Sequence, residues 1–262
     1  MRSKSTSIEE VIEKLRPIDD IFFQKLAEQE GFCEELLQII LQNKSLKLLE
    51  IKPQKNLRNV IAKSVVLDVL CKDLKNKYYN IEVQRSDDDD HIKRVRYNSA
   101  NIDTYITEKG IEYKYLPNIC IIYISSFDIF EKGKTVYYVE KVLKGTNYIV
   151  NYGIDEVYVN AKVDDKSDIA DLMKIFVSEV IPNDERFPKI CRAIRVLKEK
   201  KGSGDMCKLV EEYGEGMQQD LVTVILELRN GASEEELLNE GFTSKTIENA
   251  KIALNRLKLG IG

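Results

Sequence analysis

Two short runs of β-branched and aromatic residues constrain the fold of this chain more than any other feature. The runs are SVVLDVLC at 64–71 and YYNIEVQ at 78–84, joined by the mostly polar link KDLKNK at 72–77. Such residues favour strands, and a link of this length joins two antiparallel strands in a hairpin. Because successive side chains of a strand point to opposite faces, Glu82 and Gln84 project together, and Ile81 and Val83 project from the other face.

One carboxylate interrupts each run, Asp68 in the first and Glu82 in the second. Folding the hairpin about Leu74–Lys75 puts Asp68 opposite Ile81 or Glu82, and a shift of one residue would turn its side chain to the other face. Two adjacent carboxylates repel each other unless a proton or a metal ion intervenes, and hard cations such as Mg²⁺ prefer oxygen ligands. The pattern fits either a metal site or a solvated edge strand with ordinary surface residues, and spacing alone leaves both open.

The rest of the first two thirds of the chain alternates between helical and strand patterns. One or two helices are expected at 17–43, with a break near Gly31, and another helix at 92–110, ended by Gly110. The near-continuous apolar run at 116–130 indicates a buried central strand. Further candidate elements are strands at 135–143 and 155–162 and helices at 168–181, 186–204 and 205–230.

A change of pattern near residue 185 divides the chain into two predicted domains. Residues 1–185 combine strands and helices, whereas residues 186–262 read as helices throughout. In the second region, helical patterns at 233–239 and 244–257 resemble a helix–turn–helix. Self-association or capping of the core would explain that shape as well as DNA binding would.

Composition and charge narrow the classes of function. A hydrophobic content of 43% with 32% charged residues is ordinary for a soluble globular protein. The net charge of −4 argues against a protein that coats nucleic acid by bulk attraction, although local basic patches exist. No apolar run approaches the ~20 residues of a membrane helix, and the N-terminal residues lack the apolar centre of a signal peptide. A cytoplasmic location without membrane contact is therefore expected.

The supply of metal-binding and nucleophilic side chains points to carboxylates. The five cysteines are widely spread and form no CxxC pair, so four of them are expected to be buried free thiols. The single histidine, His91, excludes multi-histidine metal sites and lies in the polar segment SDDDDHIKR, where a surface position is expected. Carboxylates must therefore supply most of any chemistry.

The hairpin resembles the core of the PD-(D/E)XK nucleases, in which an aspartate on one strand precedes E-x-K or E-x-Q on the next. More narrowly, the chain is similar to the recombination-promoting nuclease and transposase family of that superfamily. The similarity runs over roughly 16–180 and is carried by RPIDDIFFQKL at 16–26, by VLDVLCKD followed by YYNIEVQ, and by the segment 93–124 with Arg94 and Tyr97. Two positions depart from the superfamily pattern: Val66 stands where a proline opens the motif, and Gln84 replaces the lysine.

This resemblance implies a restriction-endonuclease-like α/β fold, a mixed central sheet flanked by helices, with an all-α C-terminal extension. It also implies a metal site for Mg²⁺, or Mn²⁺ as a substitute, formed by Asp68, Glu82 and the backbone carbonyl of Val83. Gln84 would orient the attacking water or a phosphate oxygen, and Asp20 would act on the metal through water from the first helix.

The resemblance further implies DNA as the partner, contacted by Lys93, Arg94, Arg96 and Tyr97. The expected activity is a Mg²⁺-dependent endodeoxyribonuclease linked to recombination or mobile elements. Cutting both strands would need two sites, which makes a homodimer plausible. The alternative, from a different class, is a DNA-binding or interaction module whose nuclease site is weak or inactive. Metal binding at the carboxylate pair distinguishes the two.

Overall fold

The computed structural model describes residues 12–251, except 58–63, 86, 88–89, 200–219, 222, 229–230 and 245. These residues belong to two compact units, one within 10–201 and the other after residue 202. The strands are β1 (Leu48–Leu57), β2 (Val65–Asp73), β3 (Tyr78–Gln84), β4 (Ile119–Ser125), β5 (Val136–Val139), β6 (Val142–Leu143), β7 (Tyr148–Ile149) and β8 (Ile154–Asn160). The helices are α1 (Asp20–Ala27), α2 (Phe32–Ile40), α3 (His91–Ile106), α4 (Asp168–Phe176), α5 (Pro188–Glu199) and α6 (Glu234–Asn239).

The first unit is built on a six-stranded mixed sheet in the order β1-β2-β3-β4-β8-β5. Strands β1, β2 and β3 pair antiparallel, β3, β4 and β8 pair parallel, and β5 adds an antiparallel edge. Every residue of β4 is buried, as its apolar sequence predicts for a strand covered on both faces. The carboxyl ends of β3, β4 and β8 meet at one edge, at Gln84, Ser125 and Asn160.

Helices cover both faces of this sheet. On one face, α3 places Val95 and Ile102 in a cluster with Tyr123 and Tyr158. Helices α1, α2 and α4 form a second layer, where the rings of Phe23, Phe32 and Phe176 contact one another. The predicted mixed sheet flanked by helices is therefore confirmed.

Helix α5 packs within this first unit, although the sequence assigned residues 186–199 to the C-terminal region. The backbone N–H of Ile190 donates to the buried Glu35 carboxylate of α2 at 2.8 Å. Gly31 precedes α2 with a left-handed φ of 78°, and a Cβ there would lie 2.5 Å from Cδ of Lys189. The break predicted at Gly31 thus has two causes, a backbone conformation that favours glycine and the close approach of α5.

The C-terminal unit is described in part. Ser233 and Glu236 form a reciprocal capping box at the start of α6, and residues 246–251 are helical. The helix predicted at 205–230 and the last residues of that predicted at 244–257 fall mainly outside the described residues. Across the part of the chain that the structure describes, no helix combines the length and the apolar character needed to cross a membrane.

Three elements differ from the pattern-based expectation. Strand β1 was not predicted, because lysines and Pro53 interrupt its alternation, as is typical of an edge strand. Helix α3 ends at Ile106 rather than at Gly110, which adopts a φ of 89° in the following loop. The strand predicted at 135–143 is divided, since β5 pairs with β8 whereas β6 pairs with β7 in a separate exposed hairpin.

Candidate active site

The β2–β3 hairpin places Asp68 beside Glu82. Val69 pairs with Ile81, so one further step in the same register sets Asp68 opposite Glu82. The Val83 N–H donates to Asp68 Oδ2 at 2.9 Å, and the Asp68 N–H donates to Glu82 Oε1 at 3.4 Å. The two carboxylates are thus oriented by backbone groups of the opposite strand, and the predicted pairing register is correct.

Burial makes this pair electrostatically unfavourable when both members are ionised. Glu82 is buried, and Asp68 is half-buried on its strand. Desolvation raises the pKa of Asp68 to about 7, with a further contribution from the charge of Asp20. Desolvation, followed by the charge of Asp68, raises the pKa of Glu82 well above its ordinary value. The pair therefore retains a proton near neutral pH unless a cation compensates its charge.

Asn80 and Gln84 lie on the same face of β3 as Glu82, on either side of it along the strand. Asn80 is fully buried, and neither its Oδ1 nor its Nδ2 has a hydrogen-bond partner among the described residues. Its amide lies near enough to Glu82 to lower the pKa of that carboxyl. Gln84 is half-buried at the end of the strand. The alternation that singled out Glu82 and Gln84 also contains Asn80, which the sequence analysis did not select.

The start of α1 brings two aspartates to this region. Asp20, the predicted contributor, is the first residue of α1 and reaches solvent. Partial desolvation and the neighbouring charge of Asp19 raise the pKa of Asp20. Asp19 itself forms ion pairs with Arg16 at 3.1 Å and with Arg85, the residue after β3, at 2.7 Å. Asp19 therefore ties α1 to the end of β3, and the charge of Asp20 acts on Asp68.

The four residues predicted to contact nucleic acid have different surroundings on α3. Arg94 is half-buried, and its charge lowers the pKa of both Asp68 and Glu82. Lys93 and Arg96 are exposed, and Tyr97 packs against the apolar cluster beneath α3. Arg94 is thus the member of this group that the fold brings to the carboxylate pair, while Lys93 and Arg96 extend the positive charge of the same helix into solvent.

The expectation that His91 is a surface residue is wrong. His91 is 5% exposed, and its Nδ1 lies 2.9 Å from the Tyr123 hydroxyl. Its Nε2 contacts Asp87 Oδ1 at 2.9 Å. The acidic segment before α3 suggested a solvated loop, but the first turn of the helix faces the sheet and buries the imidazole. Tyr123 gave no signal in the sequence, because it reads as one aromatic among the apolar residues of β4.

The donor atoms of this site fit a hard divalent cation. Two carboxylates and nearby backbone and amide groups supply oxygen, the ligand type that Mg²⁺ and Mn²⁺ favour. Among the described residues, no three acidic, histidine or cysteine side chains converge to hold a metal ion. A metal here would thus depend on Asp68 and Glu82, with its other positions filled by backbone oxygen or water. Such an ion would neutralise the negative charge of the two desolvated carboxylates, which is unfavourable without it.

The four cysteines that the structure describes take no part in this arrangement. Cys33, Cys71, Cys120 and Cys191 are free and buried, as expected, whereas Cys207 lies outside the described residues. The reliance on carboxylates stays a prediction, and the burial of these four thiols agrees with it.

Comparison with known proteins agrees with the geometry. A family model described as PD-(D/E)XK nuclease family transposase matches residues 18–168, more than half of the chain, from the start of α1 through β8. Searches among curated proteins and among solved structures gave no match. The matched segment contains the carboxylate pair, Asp20 and Arg94. The chain belongs to the PD-(D/E)XK nuclease family transposases, with a fold of the restriction-endonuclease type and a function of the nuclease type.

Proposed function

We propose that this protein is a Mg²⁺-dependent endonuclease that hydrolyses phosphodiester bonds in DNA. The observation that carries the proposal is the pairing of half-buried Asp68 with buried Glu82, whose raised pKa values mark a site short of positive charge. Perturbed carboxylates in a nuclease-family fold are typical of groups tuned for function rather than for stability. The alternative, a solvated edge strand, does not agree with a β3 that lies inside the sheet between β2 and β4.

The chain holds the two carboxylates in the orientation that a metal site needs. Asp68 is fixed by the Val83 N–H, and Glu82 accepts from the Asp68 N–H, so each carboxylate keeps lone pairs for a ligand. We assign the metal to Asp68, Glu82 and the Val83 carbonyl, with Asp20 acting through water. When bound, Mg²⁺ would polarise the scissile phosphate and lower the pKa of the attacking water.

Arg94 and Gln84 supply the polar contacts that a phosphate requires. Gln84 can orient a water or a phosphate oxygen through its amide, but it carries no positive charge. The charge that the superfamily's lysine would provide therefore falls to Arg94, which is ion-paired with Asp90 at 3.1 Å. We infer that a DNA phosphate competes with Asp90 for this guanidinium. Lys93, Arg96 and Tyr97 complete the proposed DNA-contacting face of α3.

The biological setting is part of the same proposal. The transposase description of the family supports a role in recombination or in mobile elements. Such a role places the protein with DNA in the cytoplasm, and cleavage of both strands would require two copies of a one-site chain. A homodimer on DNA is accordingly the assembly that we propose.

The proposal is tested by nicking of supercoiled plasmid with Mg²⁺ or Mn²⁺. The purified chain is compared with Asp68→Asn and Glu82→Gln, which keep the side-chain size and remove the charge. Asp155→Asn is the matched control, because Asp155 is an exposed carboxylate whose partner is Lys77 at the other end of the sheet. We expect nicking that needs the metal, survives in the control and disappears in both site variants.

Two other outcomes would contradict the proposal. Equal nicking by all four proteins would indicate a contaminating nuclease. Binding of DNA without nicking under any metal condition would favour the alternative, an inactive DNA-binding module on a nuclease fold. The loss of activity would then be attributed to Gln84, which stands where the superfamily has a lysine.

A further inference from the structure

Three side chains form a hydrogen-bonded chain between the start of α3 and β4, and the proposed chemistry does not use it. His91 is the first residue of α3, and its two ring nitrogens contact Tyr123 and Asp87, each at 2.9 Å. The ring of Phe127 lies 4.8 Å from the imidazole and covers it. An imidazole that is buried and bonded at both nitrogens is held in one orientation.

Tyr123 anchors this chain at the centre of the sheet. It is 1% exposed on β4, where it pairs in register with Glu82 of β3 and with Tyr158 of β8. The hydrogen bond between His91 and Tyr123 therefore involves a residue that adjoins the carboxylate pair. Because β4 is paired on both sides and Tyr123 is buried, this anchor point lies within the hydrogen-bonded interior of the sheet.

Arg94 follows His91 by three residues, which makes the two side chains neighbours on the helix surface. Arg94 lies near enough to the carboxylate pair for its charge to lower the pKa of both members. Its ion-pair partner Asp90 is the residue immediately before His91, at the N-terminal cap of α3. The place of the guanidinium thus depends on how the first turn of α3 is attached to the sheet.

We propose that Asp87, His91 and Tyr123 form a latch that fixes the first turn of α3 on β4 and thereby holds Arg94 beside the carboxylate pair. His91 is a positioning residue in this arrangement, since it acts through Arg94 and touches no reacting atom. The inference rests on the proposed function, in which Arg94 meets the phosphate.

The latch also assigns the proton of the neutral imidazole. An ionised carboxylate can only accept, so Asp87 accepts from Nε2–H and leaves Nδ1 without a proton. Nδ1 then accepts from the Tyr123 hydroxyl. Because the chain has a single histidine, one pair of ¹⁵N signals reports this state without assignment by mutation.

The functional test is a double-mutant cycle on the full chain. His91→Leu, Arg94→Ala and the double variant are compared in plasmid nicking, with kcat and KM for DNA measured separately. His91→Leu should misplace Arg94 and lower the nicking rate by about 10²-fold. The double variant should be no slower than Arg94→Ala alone. If the two losses multiply instead, His91 does not act through Arg94 and the latch is wrong.

Two further variants guard against a mere loss of folding. His91→Asn keeps a polar atom near the position of Nδ1 and should recover part of the activity that His91→Leu loses. Ile92→Ala alters an exposed side chain in the same helical turn and should leave nicking unchanged. A His91→Asn variant as slow as His91→Leu would overturn the assigned contact with Tyr123.

The spectroscopic test separates this inference from the proposed function. In ¹⁵N-histidine spectra at a pH where the ring is neutral, Nε2 should carry the proton, and Tyr123→Phe should shift the Nδ1 signal because it removes the hydroxyl donor. If the intact protein nicks no DNA, the proposed function fails, and these spectra still decide the latch. A proton on Nδ1 of the neutral ring, or an unchanged Nδ1 signal in Tyr123→Phe, would refute it.

Discussion

The two ends of the β2–β3 hairpin each contain a buried or half-buried aspartate of β2, but the two aspartates differ in their hydrogen-bond donors. At the turn end, Asp73 accepts from the backbone N–H groups of Lys75 and Lys77, each at 2.8 Å, and from the Tyr79 hydroxyl at 3.0 Å. At the open end, Asp68 accepts from one backbone N–H and faces a second carboxylate. The first aspartate completes a turn, whereas the second has few donors within the protein, which agrees with the metal-binding role proposed for it.

Structural and functional carboxylates within one element differ in the donors that surround them. A structural carboxylate finds its donors within a few residues, because the turn itself supplies them. A functional one is held by few donors and by the fold around it, at a cost in stability that a ligand removes. Asp73 and Asp68 are only five residues apart, so the contrast comes from their partners and not from burial alone.

The largest expected effect is the loss of activity at the open end without loss of stability. Glu82→Gln should reduce nicking by at least about 10²-fold, because it removes a charge that is proposed to bind the metal. Its free energy of unfolding without metal should stay level or rise, since one of two repelling carboxylates is removed. Nicking assays and urea unfolding on the same preparations would measure both. If Glu82→Gln lost activity only in proportion to its folded fraction, the carboxylates of the open end would be structural, like Asp73 at the turn end.

The reverse result is expected at the turn end. Asp73→Ala leaves the N–H groups of the turn without their acceptor and should lower the free energy of unfolding by about 1–3 kcal/mol. The activity of each folded molecule should remain near that of the unmodified protein. Chemical unfolding gives the first quantity, and nicking rates scaled to the folded fraction give the second. A fall in metal affinity in Asp73→Ala would show that the turn contributes to the site.

The pH dependence of stability should come from the open end. The pKa of Asp68 is raised from 3.8 to about 7, so its proton stabilises the folded state fully below the ordinary value, and this contribution is lost as the pH rises through about 7. Glu82 acts in the same direction. Without metal, the melting temperature should therefore fall as the pH rises from about 4 to about 7, and Mg²⁺ should raise it more at the upper limit.

Thermal unfolding with and without Mg²⁺ checks this expectation, and the variant with both Asp68→Asn and Glu82→Gln is its control. In that variant the pH dependence should flatten and the response to Mg²⁺ should disappear. An identical Mg²⁺ response in the control would place the metal elsewhere in the chain.

The smallest expected effect concerns Asn80, the buried amide beside Glu82. Asn80→Leu keeps the approximate size and removes two buried polar atoms that lack a hydrogen-bond partner among the described residues, so it should raise the free energy of unfolding by about 1 kcal/mol. Because the amide also lowers the pKa of Glu82, the same variant should bind Mg²⁺ more weakly at neutral pH. Calorimetric titration with Mg²⁺ and urea unfolding would test this opposition. A variant that gains stability and keeps its Mg²⁺ affinity would make Asn80 a packing defect only.

The sequence predicted the parts of the site that depend on local pattern. The hairpin, the pairing of Asp68 with Glu82 and the buried β4 all follow from alternation and from the length of the link. Asp73 was not singled out, although its position before a turn is a recognisable signal for an aspartate that accepts from backbone N–H groups. The part of the site that lies on two strands adjacent in the chain could therefore be predicted from the sequence.

The rest could not be predicted, because it depends on contacts between distant segments. The burial of His91 requires α3 to lie across β4, and nothing in the acidic residues before it indicates that packing. The ion pair between Asp19 and Arg85 likewise joins the first helix to the end of β3. Side-chain roles that arise from tertiary contact leave no periodicity in the chain.

The two edges of the central sheet limit how copies of this protein can associate. At one edge, β1 presents Pro53, which lacks an N–H, together with the charged side chains of Lys52 and Lys55. At the other, β5 offers only four residues, Val136–Val139. Proline and charged side chains on an edge strand, and a short edge strand, both disfavour pairing with a strand from another molecule. The homodimer proposed above would then join through side-chain surfaces, with each copy keeping its own sheet.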